Sequence, residues 1–491
     1  CGALLFLFIY AGILSQAYPL YGQETGNGSA VYDPGSSSTI NFDGRMLAGL
    51  NGDSMFALSM TQGLRDFAYQ INSSVVYTND FEDYSNSSFI KNDTGFTGEI
   101  SLADDWKLIP QFEIANSTYG MFDNAAYTRE NKDSIYLRLK TEYKPGPDRW
   151  GLDLSGARYD HTLKVINVAD EDGETFYLGR ATLSMEHIWS DANKYGLVLD
   201  CAGYNYPEIY PDDAFASGEF YFSFKITEYI MPTIVFPRFI WDRDGTNYIY
   251  AKAVISSLNL DVLSLELSHD YRLEPYRPEE LFKNHKYVHP GLDLPPSRVN
   301  HTELKSKFDF VFPERGEGAL SLISMALRFS GFFEDSTNFC NYITKTENVL
   351  DVQAVPVKYV NGRAEFVTTF MILGQKVNAD FSYNYFKYFP GDSGINITYR
   401  PGSVFTFALT LDGPWIEVEW INSWKGPVYI SPDNDNRLDA VLAGTLDIHL
   451  KVYDTFYIDS SISNLYNRKY NYRDGYPEPG IQFYAGLRVM I

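Results

Sequence analysis

The sequence predicts an all-β fold, namely a transmembrane antiparallel β-barrel of about 22 strands with no separate plug domain. Apolar and polar residues alternate along many short segments, as expected for strands with one apolar and one wetted face. Aromatic residues make up 16% of the 491 residues and tyrosine alone numbers 38, more than a packed soluble core needs. An apolar outer band with aromatic girdles around a polar interior explains this composition.

The N-terminal segment is predicted to be a signal peptide, N-terminally truncated, over residues 1–17. The apolar run Gly2 to Leu14 has signal-peptide length, and Ser15-Gln16-Ala17 follows as a small-residue cleavage pattern. The alternative is a lipoprotein acylated at Cys1, but lipoprotein tethers are polar and this stretch is apolar. Residues 18–50 are Gly-, Ser- and Asn-rich in their first part and are predicted to be flexible, so the barrel is expected over 51–491.

Beyond this leader, spanning helices are not expected. No uninterrupted apolar run approaches the roughly 18 residues that a membrane helix needs. The best candidate, Tyr229 to Trp241, is interrupted by Pro232, Pro237 and Arg238. A membrane location therefore requires a closed sheet, because only that alternative satisfies the backbone polar groups in lipid.

Strand-like alternation starts near Ser54 and recurs at intervals of about twenty residues, the strand-plus-connection length of barrel proteins. Representative apolar sets, each alternating with polar neighbours, are Phe67, Tyr69, Ile71, Val75 and Tyr77; Ile135, Leu137 and Leu139; Trp150, Leu152 and Leu154; Phe220, Phe222 and Phe224; Phe308, Phe310 and Phe312; and Phe405, Phe407, Leu409 and Leu411.

Polar, Pro- and Gly-rich stretches predict the connections. Long outer loops are expected at 79–93, 119–133, 204–217, 274–300, 335–348 and 425–437. Tight turns are expected at 144–148 and at Asn361-Gly362. Interfacial girdle positions are predicted for Trp106, Trp150, Trp189, Trp241, Trp415, Trp424 and Tyr484.

The last fifty residues organise the prediction. Leu442 to Val452, Phe456 to Ile462 and Ile481 to Ile491 each alternate, so the chain ends in a strand. The segment between the last two strands carries Asn464, Leu465, Asn467, Tyr470, Tyr476, Pro477, Pro479 and Gly480. This pattern resembles the closing hairpin of TonB-dependent outer-membrane receptors, with Ile481 where the family usually has Arg and Ile491 where it usually ends in an aromatic residue.

The resemblance covers about a tenth of the chain and implies a bacterial outer-membrane location and uptake or passage of a small solute. Members of that family normally carry a TonB-binding box and a plug domain before the barrel. Neither pattern is found here, since strand alternation begins by about Ser54. The expected partners are outer-membrane lipid and lipopolysaccharide, the barrel-assembly machinery, an unidentified small solute and a plug or energy-coupling protein supplied separately.

The predicted functional residues are polar side chains that alternate with the lipid-facing ones and would line the lumen. Charges of both signs there would hold water and form an electrostatic filter; the alternative is that they only pair with one another and solvate the wall. These candidates are Arg138, Lys140, Glu142, Lys305, Lys307, Glu417, Glu419, Asp447, His449 and Lys451.

Several functions are disfavoured. A formal net charge of −23 argues against a nucleic-acid partner. The seven histidines accompany no nucleophile or metalloprotease motif, so an enzyme is not predicted. No metal or cofactor is expected, because the three cysteines have no ligand spacing. The remaining alternatives are a plugless passive porin, a structural or surface-display barrel without transport, and a secreted soluble all-β protein.

Overall fold

The computed structural model describes residues 40–49, 52–64, 66–80, 86–121, 127–165, 171–190, 193–205, 213–227, 230–242, 247–260, 262–274, 294–312, 320–344, 350–390, 395–433, 436–473 and 476–491. The predicted signal peptide lies outside these residues. In the part described, every regular element is a β-strand. No helix in that part has the length and apolar character to cross a membrane.

The strands follow one another along the chain with few interruptions. Their bounds are β1 Ile40–Gly49, β2 Ser54–Gly63, β3 Phe67–Thr78, β4 Phe89–Ala103, β5 Trp106–Gly120, β6 Tyr127–Tyr143, β7 Asp148–Val165, β8 Glu171–Ser190, β9 Asn193–Asn205, β10 Asp213–Ser223, β11 Ile230–Asp242, β12 Asn247–Leu260, β13 Leu263–Glu274, β14 Ser297–Val311, β15 Leu320–Thr344, β16 Leu350–Ile372, β17 Gln375–Pro390, β18 Ser403–Asp412, β19 Ile416–Lys425, β20 Val428–Tyr429, β21 Arg437–Leu438, β22 Val441–Tyr453, β23 Phe456–Ser463, β24 Asn471–Arg473, β25 Tyr476–Pro477 and β26 Gln482–Met490. β1 lies within the segment predicted to be flexible, so the barrel begins before residue 51.

The main sheet contains 22 strands, and each pairs antiparallel with its neighbours. The small hairpins β20–β21 and β24–β25 stand apart from it as separate two-stranded sheets. β26 pairs with β1 from Asp43↔Met490 to Gly49↔Tyr484, so the first and last strands join. Each strand of the main sheet therefore has a partner on both sides, which leaves no open edge. This confirms the predicted barrel architecture.

The two ends of the barrel differ in their connections. One end, called the turn end here, carries short turns such as 104–105, 373–374 and 454–455. There the backbone of Phe42 also exchanges hydrogen bonds with Ile491 of 2.7 and 2.8 Å. The strands that flank the longest connections, 275–296 and 464–481, meet those connections at the opposite end, called the loop end.

The outer face is apolar. Directly opposite residues of antiparallel strands share a face, and Leu139 lies opposite Pro110 and Leu154. Leu137 is 54% exposed even though it sits in the middle of a paired strand. A ring of such side chains is what a lipid-facing band requires.

The other face is polar and is the inner one. Glu130 and Asp459 lie on it and are fully buried, and a carboxylate reaches that degree of burial only inside the ring. Following the register from Arg138 to Ser155 and from Ser155 to Arg180 stays on this face. The strand alternation therefore sorts lipid-facing from interior residues, as the sequence predicts.

Exposed aromatic side chains mark the turn end of the outer face. Trp106 packs edge-on against Tyr143, with ring centroids 6.1 Å apart. Trp150, Trp189 and Trp415 are also exposed and lie near turns at this end. Tyr484 departs from the predicted girdle: it is 2% exposed and stands opposite Ser461 on the inner face.

Two predicted connections are strand instead. Residues 335–344 of the expected loop 335–348 continue β15, which runs 25 residues. Asn361-Gly362 lies inside β16, opposite Phe386 and Tyr385. A β-bulge between Ser336 and Phe339 absorbs the polar stretch without ending the pairing. The tight turn is Leu373-Gly374, where both φ angles are positive (50° and 80°), as a two-residue hairpin needs.

Candidate functional site

The inner wall is the candidate site, because it carries every residue predicted to line a lumen. The structure places three of them on β6, two on β14, two on β19 and three on β22, all on the polar face. It brings the β19 and β22 residues together on adjacent strands. The β6 and β14 groups lie elsewhere around the ring.

The β6 residues are neutralised by neighbours on the same wall. Arg138 Nε donates to both carboxylate oxygens of Asp153 on β7, at 2.8 and 3.0 Å, and Nη1 donates to Gln111 at 3.2 Å. Lys140 and Lys144 both pair with Glu142, at 2.6 and 2.7 Å. The Arg138–Asp153 contact has the two-pronged geometry that guanidinium and carboxylate favour.

The same pattern continues on β8 and β9. Arg180 contacts Asp200 through Nε and Nη2, both at 2.9 Å, and Lys194 pairs with Glu186 at 2.9 Å. These residues form what is called the paired sector below: Arg138, Lys140, Glu142, Asp153, Arg180, Glu186, Lys194 and Asp200.

The predicted β14 residues are paired in the same manner. Lys305 contacts Glu303 at 2.8 Å and Glu266 at 3.4 Å. Lys307 contacts Asp309 at 2.6 Å. Their positive charge is therefore compensated locally.

The wall formed by β18, β19 and β22 is different. Glu419 stands directly opposite Asp447, and Glu417 stands opposite Asp412 on the other side. In the part of the chain that the structure describes, none of these four carboxylates has a hydrogen bond or ion pair within 4 Å. They are called the acidic sector below: Asp412, Glu417, Glu419 and Asp447.

The cations beside the acidic sector are already engaged. His449 Nδ1 lies 2.9 Å from Asp459, and Arg45 Nε lies 2.7 Å from the other oxygen of that carboxylate. Arg488 binds Asp43 through two contacts of 2.9 and 2.7 Å. Lys451 lies 3.7 Å from Asp454 at the turn. Lys376 is opposite Asp412 in the register but makes no ion pair with it.

Gly486 lies on β26, which Arg45 of β1 must cross to reach Asp459 on β23. A Cβ at Gly486 would stand 1.7 Å from the carbonyl oxygen of Met46, so only glycine fits where β26 meets β1. Asp459 is opposite Gly486, and Gly486 is opposite Leu47. The missing side chain leaves room for the Arg45–Asp459 ion pair over the junction.

The structure also shows an inner-wall network nearer the loop end that was not predicted from the sequence. The carboxylate of Glu334 accepts from Tyr359 Oη at 2.8 Å and lies 2.9 Å from His301 Nδ1. Arg272 contacts Asp270 at 3.1 Å and Glu274 at 2.6 Å. Strand parity on β13 to β16 was the signal that could have identified these residues.

A segment at the loop end folds onto this part of the wall. Ile397 packs on Val355 and Val357, and the side chain of Asn341 bonds the backbone of Asn396 at 3.1 Å and of Thr398 at 2.9 Å. The segment also pairs with the next connection, since Thr398 forms a parallel bridge with Tyr429. Part of the inner face is thus covered near the loop end.

Within the described residues, no group of three or more His, Cys, Asp or Glu side chains is close enough together to hold a metal ion. The carboxylates of the acidic sector face one another without converging on one point.

No family model matches the chain, and no curated protein matches it. The siderophore receptor PirA from Acinetobacter baumannii has a TM-score of 0.70 at 10% identity, covering 93% of this chain and 81% of that one. The copper transporter OprC has 0.67 at 12% identity, covering 92% and 80%. The FrpB iron transporter from Neisseria meningitidis, F3-3 variant, has 0.66 at 10% identity, covering 93% and 82%.

The chain has the barrel fold of TonB-dependent receptors. The resemblance predicted from the closing hairpin is confirmed for the fold. A closed barrel with an apolar outer band satisfies all backbone groups in lipid, and this fold is that of an outer-membrane barrel.

The residues of the closing hairpin shared with TonB-dependent receptors shape the loop between β23 and β26. Asn464 and Asn467 adopt left-handed φ angles of 47° and 48°. Asn464 Nδ2 donates to the carbonyls of Arg468 and Pro479, at 2.8 and 3.0 Å. Asn467 Oδ1 accepts from the backbone of Ile481 at 3.0 Å.

The rest of this motif anchors the loop. Leu465 donates its backbone N–H to Gly444 at 2.9 Å, and the carbonyl of Tyr470 accepts from Glu478 at 2.8 Å. Tyr476 and Pro477 form β25, and Pro479 and Gly480 lead into Ile481 and β26. A Cβ on Gly480 would approach Asn467 Oδ1 to 2.8 Å. The motif therefore organises the turn into the last strand, and none of its described contacts reaches the charged inner wall.

Proposed function

We propose that this protein carries a small solute across the outer membrane, as a transporter or receptor of the TonB-dependent type. The observation that carries the proposal is the closed 22-stranded ring with a charged, polar inner wall. A barrel of this strand number encloses a lumen too wide for side chains alone to fill. Arg138, Lys140, Glu142, Lys305, Lys307, Glu417, Glu419, Asp447, His449 and Lys451 line that path.

The names of the proteins with similar structures support this proposal. The similar structures include a siderophore receptor, an iron transporter and a copper transporter, and none of these is named as an enzyme. We therefore assign the chain a binding and transport role without catalysis. Membrane lipid and lipopolysaccharide contact its outer band, the barrel-assembly machinery inserts it, and a plug or energy-coupling protein acts with it.

Conductance in a planar lipid bilayer tests the proposal. Protein extracted in detergent is first shown to be folded by its shifted mobility on an unheated gel. Folded protein should then produce discrete, salt-dependent current steps. A folded barrel that gives no current, and whose deletion impairs only envelope integrity or adhesion, would assign a structural or surface-display role instead.

A further inference from the structure

The acidic sector is the part of the inner wall whose charges are not matched. Glu419 and Asp447 are direct cross-strand neighbours, and like charges in that arrangement repel each other. Asp412 and Glu417 form a second such pair one strand over. Their other cross-strand neighbours are Lys376 and His449; His449 is bonded to Asp459, and Lys376 makes no ion pair with Asp412. Repulsion between like charges inside a barrel lowers its stability, and a bound cationic group would relieve it.

Asp447 gives an independent indication. Its exposed fraction is 9%, so it is more than nine-tenths buried, and it has no hydrogen bond or ion pair among the described residues. Its carboxylate oxygens are not among the fully buried atoms, so they remain open to the lumen at the tip of an otherwise buried side chain. Register places Asp447 on the face of Glu419, directly across from it.

Among the described residues, the cations nearest the acidic sector are bonded to other carboxylates. Asp459 is contacted by His449 and Arg45, and Asp43 is bound by Arg488. The described part of the wall therefore leaves Glu419 and Asp447 without a bonded cation.

We propose that the acidic sector binds a positively charged group of the transported solute, an ammonium or a cation that keeps its water shell. This proposal deepens the transport function and rests on it. A dehydrated metal ion does not fit, because no three potential ligands among the described residues are close enough together to hold one. Clustered carboxylates that line a wide pore attract hydrated or organic cations by charge.

The experiment measures ion selectivity and cation block in the bilayer assay. Under a KCl gradient, the wild-type protein should prefer K⁺ over Cl⁻, and spermidine or Mg²⁺ added to one side should reduce the current. In the double variant Glu419→Gln/Asp447→Asn, the concentration of the more effective blocker that halves the current should rise about tenfold, as expected for the loss of two nearby charges.

A matched control removes the same net charge elsewhere. Asp104→Asn/Asp105→Asn changes the turn between β4 and β5, outside the acidic sector. This control should retain the wild-type block and selectivity. Equal loss in both double variants would show that only the overall negative charge matters and would overturn the proposal.

The two probes separate the sources of the cationic group. Block by spermidine alone supports an organic ammonium, and block by Mg²⁺ alone supports a hydrated metal cation. Current that neither probe blocks, with no K⁺ preference, would overturn the cation site while leaving transport intact. Absence of current from folded wild-type protein would overturn the transport proposal itself. Glu417→Gln, tested alone, serves as the second variant if the double variant does not fold.

Discussion

The paired sector and the acidic sector occupy the same inner face of one sheet and differ in how their charges are matched. Across β6 to β9, Arg138 meets Asp153 and Arg180 meets Asp200 in close contacts. Across β18 to β22, Glu419 meets Asp447 and Asp412 meets Glu417. Both sectors obey the same strand alternation, so the fold alone does not explain the difference.

The comparison separates two uses of inner-wall charge. In the paired sector, opposite charges hold neighbouring strands in register and leave the wall nearly neutral. In the acidic sector, negative charge remains available to the lumen at some cost in stability. A wall residue without a partner is therefore a better candidate for solute contact than one that is fully bonded.

The largest loss of stability is expected from breaking the buried ion pairs of Asp459, which lie beside the junction of β1 and β26. Asp459→Asn keeps the side-chain shape but leaves both Arg45 and His449 without their carboxylate. Because this change removes one partner of a buried ion pair and leaves the other charge unpaired, it should lower the unfolding free energy by about 3 kcal/mol. Denaturant titration in lipid vesicles, followed by tryptophan fluorescence, measures it.

Asp454→Asn is the control for this prediction, because Asp454 is exposed at the turn and lies 3.7 Å from Lys451. Its unfolding free energy should match that of the wild type. If Asp459→Asn unfolds like the control, the ion pairs beside the β1–β26 junction do not stabilise closure.

A smaller loss is expected in the paired sector. Among the described residues, Asp153→Asn leaves Arg138 with Gln111 as its one hydrogen-bond partner; it should cost about 1–2 kcal/mol, because the site is partly open to water. Adding Arg138→Gln removes the unpaired cation and should restore most of the loss. Comparing the two single variants, the double variant and the wild type in the same titration gives the coupling energy. Additive effects would show that the contact does not couple these strands.

The smallest effect, of opposite sign, is expected in the acidic sector. Glu419→Gln removes one member of a like-charge pair and should raise the unfolding free energy by about 0.5 kcal/mol. The same titration at low ionic strength, where screening is weak, measures it. A decrease would mean that Glu419 has a stabilising partner, and the contrast between the two sectors would then be lost.

Much of the fold follows from the sequence because a period of two is visible without any knowledge of pairing. Leu137 and Leu139 are outward and Arg138 is inward on alternation alone. Because the number of strands is even, the first strand begins and the last strand ends at the same end of the barrel. The long connections were less predictable, because Asn- and Gly-rich stretches also occur inside strands when cross-strand pairing outweighs turn propensity.

Residues 361 and 362 illustrate this limit. Asn-Gly is the strongest short hairpin signal, yet β16 continues through it for ten more residues, to Ile372. The turn at Leu373-Gly374 gives a weaker signal because only its second residue favours a positive φ. Continuous pairing with β15 and β17 on both sides decides the outcome.

The candidate site was predictable in part. Parity gave the face of Glu419, Asp447 and His449, since each side chain's direction is a local property. It did not give their partners, because Asp459 and Arg45 are brought beside His449 only by strand order and register. The contrast between paired and unpaired charge is therefore a property of the closed sheet.

Cysteine labelling along β22 tests most directly that one parity faces lipid and the other a watery interior. In a protein whose three cysteines are replaced by serine, single cysteines are placed from 442 to 450. Positions 443, 445, 447 and 449 should react with a charged, water-soluble maleimide. A fluorophore at 442, 446, 448 or 450 should instead be quenched by nitroxide lipids. Labelling without this alternation, or protection of both parities from water and lipid, would contradict the account.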